Sequence, residues 1–373
     1  MPRACLVGYG RVGRVTAAEL RRRGYRVEVY DASRSNVELA RSAGFVAHLA
    51  DVSSKRVAEG ISSACDVVAT ALPGLSAEKV LASLLESGTG LVVDVSYLPD
   101  PFALRGLAEK HSSTLVVDAG LAPGLSNLLL YYSVRSLHKS LEALVYVGGL
   151  SADPMSPLGL VASWNVVDLL EEYTRPARAR VNGELVELDP LADATSVEVP
   201  GAGGFDALPT DGLRTLLSTL SEPKTMVEYT LRYPGHVEAM RNLRDLGLLD
   251  DRSYVVEGCA TTPKRLLARL LEERLPRSGD RVVLYTRAVG VEGDVESLEF
   301  YLDVTQAELG LEDVTALAYL TGFMHAWFVD RVYRESPDAG LIPPESFYED
   351  TYTVIGELRS VGVKVSRRRC SEG

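Results

Sequence analysis

Residues 4–33 constrain this chain more than any other stretch. They read ACLVGYGRVGRVTAAELRRRGYRVEVYDAS. A short apolar run over 4–7 leads into Gly8, Gly10 and Gly13, spaced G-x-G-x-x-G. Over residues 11–23 the apolar positions Val12, Val15, Ala18 and Leu20 recur on one side among arginines, and Gly24 stands where a helix C-cap glycine belongs. Residues 26–30 alternate like a strand and end at Asp31, 21 residues beyond Gly10. Strand, glycine turn, helix, strand and acidic tip in that order predict a dinucleotide-binding βαβ unit.

Each glycine has its own physical task. Gly8 permits the tight turn out of the strand. Gly10 has no side chain, so a pyrophosphate can reach the backbone. Gly13 lets the helix pack close to the strand. The helix start then offers free N–H groups and a partial positive charge to phosphates. Tyr9, Arg11 and Val12 belong to the same turn and join the predicted cofactor contacts. Asp31, with Ala32 beside it, is placed to accept hydrogen bonds from the adenine ribose and to repel a 2′-phosphate, which favours NAD over NADP. Ser33 and Arg34 pull the other way, because an arginine just past the acid can hold a 2′-phosphate.

The alternation continues. Strands are predicted over 45–49, 67–70, 91–94 and 114–117, with helices over 36–43, 77–86 and 102–111. Six strands with intervening helices predict an α/β fold with a doubly wound parallel sheet. Open sheets of this kind bind ligands at the carboxyl ends of their strands. The residues there are Asp51 and Val52, then Ala71, Leu72 and Pro73, then Ser96 and Tyr97, then Asp118 and Gly120. Asp51 could approach an adenine or simply cap the next helix.

Beyond residue 124 the pattern changes. We expect helices over 125–134, 160–173, 236–246 and 263–275, strands over 141–150, 225–233, 281–291 and 296–304, and a hairpin over 179–188 turning at Asn182-Gly183. This is an α+β domain with a mainly antiparallel sheet. Long alternating strands suit either a helix-covered core or a subunit contact, and a homodimer or homotetramer through this domain is expected. A long apolar helix over 312–334, a helix over 346–358 and a strand over 361–365 end the chain. The expected division is a Rossmann domain over 1–124, with 312–373 packing back on it, and a substrate and oligomerisation domain over 125–311.

Composition excludes several classes. The longest apolar stretches are strand-length or broken by charge, so no membrane span is expected. The N-terminus leads straight into a strand, which argues against a signal peptide. A net charge of −12 argues against nucleic-acid partners, and Arg367 to Arg369 near the C-terminus read as a frayed end. Four scattered cysteines without a C-x-x-C pair predict neither a metal site nor a disulfide framework, and point to the cytoplasm. Only 7 of the 39 basic residues are lysine, and Gln306 is the sole glutamine; scarce amides fit a thermophilic source.

A nicotinamide-dependent reaction needs an acid or base and anchors for its substrate. His236 follows Arg232, Tyr233, Pro234 and Gly235 at a strand-to-helix corner. A histidine there can take a proton near neutral pH, or can be a helix-start residue satisfied by backbone. Arg232 can clamp a carboxylate with two parallel hydrogen bonds, or be a surface strand arginine. The predicted catalytic set is Asp118, His236 and Tyr97. The predicted substrate set is Arg232, Tyr233, Thr210 and Trp164, although Trp164 reads first as core. His325, inside the long apolar helix, reads as a satisfied core histidine.

The motifs VGYGRVG, TALPG, VDVSY, VDAGLAPGLSN, ALPTDGLRTLL and VEYTLRYPGHVEAM, between residues 7 and 240, together with AGLIPPE at 339–345, resemble the saccharopine dehydrogenase-like family, and within it the lysine 6-dehydrogenase group. The resemblance implies a Rossmann domain plus an α+β domain with the substrate site, and hydride transfer at a carbon bearing nitrogen. For that group it implies NAD-dependent oxidation of the lysine ε-amine to an imine that water then hydrolyses. Arg232 would hold the substrate carboxylate; His236 or Asp118 would take the amine proton and activate water. Two alternatives stand beside this: saccharopine or another secondary amine as substrate, and a nucleotide-binding protein without catalysis.

Overall fold

Buried apolar strands alternating with one-faced helices build the first of two units, which comprises residues 1–125 and 318–347; the second comprises 126–317 and 348–373. The computed structural model describes all residues except 164, 293 and 373, and leaves aside the side chains of 75, 292, 294, 295 and 372. The first unit runs β1 (Arg3–Val7), α1 (Arg11–Arg22), β2 (Arg26–Asp31), α2 (Arg34–Ser42), β3 (Val46–Leu49), α3 (Lys55–Ala64), β4 (Val67–Thr70), α4 (Gly74–Glu86), β5 (Leu91–Asp94), α5 (Arg105–Lys110) and β6 (Thr114–Val116). In the second unit come α6 (Leu125–Arg135), β7 (Ser140–Ser151), α7 (Val166–Glu171), β8 (Ala177–Val181), β9 (Glu184–Leu188), β10 (Thr195–Val199), β11 (Gly203–Thr210), α8 (Leu216–Thr219), β12 (Thr225–Arg232), α9 (His236–Asp245), β13 (Tyr254–Val256), β14 (Cys259–Thr261), α10 (Pro263–Arg274), β15 (Asp280–Glu292) and β16 (Asp294–Thr305). Then follow α11 (Ala316–Glu335), β17 (Gly340–Ile342), α12 (Thr351–Ser360) and β18 (Val365–Glu372).

The first sheet is wholly parallel, in the order β17-β6-β5-β4-β1-β2-β3. Its central strands are buried on both faces, so β4 reads as the uninterrupted apolar run Val67-Val68-Ala69. The seventh strand, β17, was not among the six expected. It is three residues long, too short to show a period, and it pairs with β6 from far along the chain. Gly322 seats α11 on α1: a Cβ there would meet Val15 Cβ at 2.6 Å and the Val12 carbonyl oxygen at 2.8 Å. Cys5 and Cys65 form a disulfide, with Cα atoms 5.8 Å apart, contrary to the expectation of none. Sequence spacing hides this pair; it arises because β1 and β4 are parallel neighbours, so the chain entering β4 passes close to β1.

The second sheet is mixed and mostly antiparallel, in the order β10-β11-β12-β7-β15-β16-β18, with β8 and β9 attached through β12. The hairpin β8–β9 turns at Asn182 and Gly183, both at positive φ as its turn type requires. The expected helix over 160–173 shrinks to α7, because Asn165 starts it by accepting hydrogen bonds from Val167 N at 2.8 Å and Asp168 N at 3.4 Å. The segment expected to pack whole on the first domain is divided, with 348–373 in the second unit. The arginine-rich end is an edge strand, β18 on β16, in which Arg369 donates to Glu296 at 2.6 Å. Charge on an edge strand blocks further pairing. No helix among the described residues is long and apolar enough to cross a membrane.

Candidate functional site

The glycine turn joins β1 to α1 at the carboxyl edge of the first sheet. Gly8 has φ +95°, and a Cβ on it would strike the Ala71 carbonyl oxygen; a Cβ on Gly13 would strike the Gly8 carbonyl oxygen. A Cβ on Gly10 would meet nothing within 4 Å. Gly8 and Gly13 therefore serve close packing of the protein on itself, while Gly10 faces open space above the start of α1. The N-cap is Gly10, which brings no side chain to the helix start. A helix start of this kind favours an anion, and the turn fits a dinucleotide pyrophosphate.

Asp31 closes this turn. Its Oδ2 accepts from Tyr9 N at 2.7 Å and from Asn36 Nδ2 at 3.1 Å, and its Oδ1 accepts from Ser33 N at 2.7 Å. Each oxygen thus already holds a protein donor before any ribose arrives. Tyr9 is buried edge-on against Phe45. Arg34 is exposed at the first turn of α2, beside Ala32 and the Ser33–Ser35 hydroxyl pair at 2.8 Å. Asp51 is exposed and accepts from Ser53 N at 3.0 Å, and its bonds to Ser53 hold its carboxyl below the usual range. The Val52 side chain lies in the core with Cys5, Val7 and Ile61, so only its backbone is left to meet a ligand.

The next strand tips are tied together. Leu72 N donates to Ser96 Oγ at 3.0 Å, and Ser96 Oγ donates to Asp94 Oδ1 at 2.7 Å. Thr70 Oγ1 donates to the same oxygen at 2.5 Å. Gly74, after Pro73, lies against the Tyr97 carbonyl oxygen so closely that a Cβ would collide with it. Asp94 is fully buried, and burial pushes its carboxyl up to about 7, with the Asp118 charge adding to the rise and the two hydroxyls opposing it. Asp118 is 2% exposed and sits at φ +56°, a left-handed position that Asp tolerates better than most residues. Gly120 N donates to Pro123 O at 3.1 Å and to Asp118 O at 3.0 Å, which shapes the loop after β6.

In the second unit, Arg232 and His236 belong to one buried chain of hydrogen bonds. Arg232 Nε donates to Tyr173 Oη at 3.1 Å, and Tyr173 Oη lies 2.8 Å from His236 Nε2. His236 Nδ1 lies 2.9 Å from the Leu158 carbonyl oxygen, which can only accept. The proton is therefore on Nδ1, and Tyr173 donates to Nε2. Burial, with the Arg232 charge, drops His236 to about 3. Both ring nitrogens are engaged, so in this arrangement neither is left for a substrate proton. The Arg232 guanidinium, 2% exposed, also donates to Glu172 at 2.6 Å and to Leu231 O at 3.0 Å. The clamp expected for a substrate carboxylate holds a carboxylate of the protein instead. Glu172 is raised by burial despite Arg232. Tyr233 donates to Ser151 O at 2.8 Å, and Thr210 is paired with Thr230 at 2.9 Å. Trp164 lies outside the described residues. Among the described residues no group of His, Cys, Asp and Glu could hold a metal ion.

Residues 120–363 match the saccharopine dehydrogenase C-terminal domain, and residues 4–88 match the TrkA-N domain. The chain is 26% identical over 253 residues to the mitochondrial alpha-aminoadipic semialdehyde synthase of Rattus norvegicus, covering 63% of this chain and 27% of that one. It is 25% identical over 246 residues to the saccharopine dehydrogenase (NADP+, L-glutamate-forming) of Schizosaccharomyces pombe, covering 62% and 55%. It thus spans between about a quarter and just over half of these relatives. Among solved structures, apo saccharopine dehydrogenase (L-Glu forming) from Saccharomyces cerevisiae superposes with a TM-score of 0.81 at 21% identity, over 99% of this chain and 100% of that one. Homospermidine synthase from Legionella pneumophila, in complex with NAD, gives 0.69 at 14% identity over 99% and 91%. At these identities the structural likeness is one of fold.

Proposed function

This chain belongs to the saccharopine dehydrogenase family, and from that premise we propose that it is a nicotinamide-dependent oxidoreductase acting on a secondary amine of the saccharopine type. The observation that carries the cofactor half is the open approach at Gly10, the N-cap of α1. The substrate half rests on the family match and on relatives named for saccharopine. They favour a secondary amine over the lysine ε-amine suggested by the motifs alone.

The bound nicotinamide would supply the hydride acceptor. The protein's share is to bind, orient and move one proton. The N–H groups at the start of α1 would take the pyrophosphate, and the Leu72–Ser96 bond would hold the 71–73 loop beside it. Asp118, at the tip after β6, is the base we assign to the substrate ammonium. It would take the N–H proton while the electron pair stays on nitrogen, which is the form that can release hydride from the neighbouring carbon. The engagement of Asp31 by Tyr9, Ser33 and Asn36, with Arg34 exposed nearby, supports use of either NAD or NADP. Self-association through the second unit belongs to the same reading, and light scattering of the purified protein tests it.

The deciding assay offers NAD or NADP with saccharopine, lysine or homospermidine, and follows absorbance of the reduced cofactor. Turnover of saccharopine supports the proposal. Turnover of lysine alone would return the assignment to oxidative deamination, and no reduction with any pair would refute catalysis on amines.

A further inference from the structure

The carboxyl edge of the first sheet holds an acid that the proposed reaction does not use. Asp94 ends β5 and is completely buried. Its Oδ1 takes two hydroxyl donors, Thr70 Oγ1 at 2.5 Å and Ser96 Oγ at 2.7 Å. Its Oδ2 is also buried and has no hydrogen-bond partner among the described residues. The next strand, β6, leads to Asp118, and the two tips are joined by Ala119 N donating to the Asp94 carbonyl oxygen at 2.9 Å. One buried carboxyl with an unused oxygen thus stands beside a second one at the neighbouring tip.

We propose that Asp94 and Asp118 share a proton, with Asp94 the positioning residue: it stays protonated on Oδ2 so that Asp118, beside it, stays an ionised base. The division of labour follows from the donors. Thr70 and Ser96 both spend their hydroxyl protons on Oδ1, which leaves Oδ2 as the site for the proton. Two buried carboxylates at neighbouring tips of one sheet cannot both ionise cheaply. Burial acts in the same direction, and the Asp118 charge adds to it. On α11, His325 approaches β5 as well. Its Nε2 donates to the Val93 carbonyl oxygen at 3.0 Å, and burial lowers it to about 4, so it adds no charge near neutral pH. The proton balance is simple. Asp118 accepts one proton from the substrate ammonium, an N–H bond breaks and an O–H bond forms, and the proton later leaves to solvent. The Asp94 proton is retained through the cycle at pH values below its own ionisation. The role given to Asp118 rests on the proposed function; the shared proton does not.

The test uses the full chain and two kinds of readout. Infrared spectra of the carboxyl C=O band across pH 5 to 9 should show a protonated buried carboxyl that ionises near neutral pH. Asp94→Asn, which keeps an acceptor for Thr70 and Ser96 and a donor in place of Oδ2–H, should lose that band with the fold intact. Asp118→Asn should move the band's titration down by about one pH unit or more, the scale of a close like-charge effect. In the amine-oxidation assay, Asp94→Asn should keep kcat/KM within about tenfold of wild type, whereas Asp94→Leu should move the acid limb of its pH profile upward by about one unit. No neutral-pH titration in the wild type, or one that Asp118→Asn leaves unmoved, would overturn the pair. If no amine is oxidised, the proposed function fails while the infrared result still judges the shared proton.

Discussion

Gly10 and Gly13 occupy one motif for opposite reasons, and single substitutions separate them. Gly10→Ala meets no protein atom, so it should leave thermal stability near wild type while weakening dinucleotide binding by about tenfold, roughly 1–2 kcal/mol. Gly13→Ala must displace the Gly8 carbonyl and should lower the unfolding midpoint itself. Calorimetric titration beside a thermal melt checks both, and equal loss of stability in the two variants would sink the distinction. Histidines make a second test. His236 and His325 are buried and held to about 3 and about 4, below the ordinary 6.5. The unfolded chain therefore binds more protons than the fold between those values and 6.5, so stability is full above 6.5 and falls as pH drops below it. Asp94, raised to about 7, acts in the opposite sense over this range, so the histidine part is read by comparison: between pH 7.5 and 5 the urea midpoint of His325→Gln should fall less, or rise more, than that of the wild type. The glycine spacing was legible because it is local. The state of His236 was not, since Leu158 and Tyr173, which fix its tautomer, lie far away in the chain.

At the scale of elements, the pair between the end of β12 and the residue after α7 carries the sharpest expectation. Arg232→Ala leaves Glu172 and Tyr173 without their buried donor, and should cost about 3–5 kcal/mol in urea unfolding. Combining Arg232→Met with Glu172→Gln should recover much of that loss, because no buried charge is then left alone. A small loss in the single variant would mean that Arg232 is held for a ligand, as the RYPGH motif suggested. Strong patterns made most elements readable: β15 and β16 are long stretches rich in β-branched and aromatic residues, and β4 and β5 are apolar runs bounded by turns. Elements without a period escaped. β10 and β11 lie in a stretch broken by glycines, β13 and β14 are three residues each, and α7 is set by its Asn165 cap rather than by the longer apolar pattern.

At the scale of the molecule, the Cys5–Cys65 bond closes a loop that runs from the middle of β1 to the end of α3. Thiol titration of the denatured, unreduced protein should count two reactive cysteines, Cys259 and Cys370, and four after reduction. Reduction should also lower stability by about 2–4 kcal/mol. Four thiols without reductant would refute the bond. The βα alternation in the sequence stops near residue 124, but the return of β17 to the edge of the first sheet leaves no such sign there. That return sets an order in time. A ribosome delivers the glycine turn early, yet the strand that covers the β6 edge, and the helix α11 that packs on α1, emerge only after the central units of the second sheet have been synthesised. A nascent chain stopped near residue 125 carries the cofactor turn on a sheet with β6 uncovered and α1 bare. The first unit is therefore complete only once residues 318–347 have been made, and no C-terminal truncation that discards the second unit can keep the first one whole.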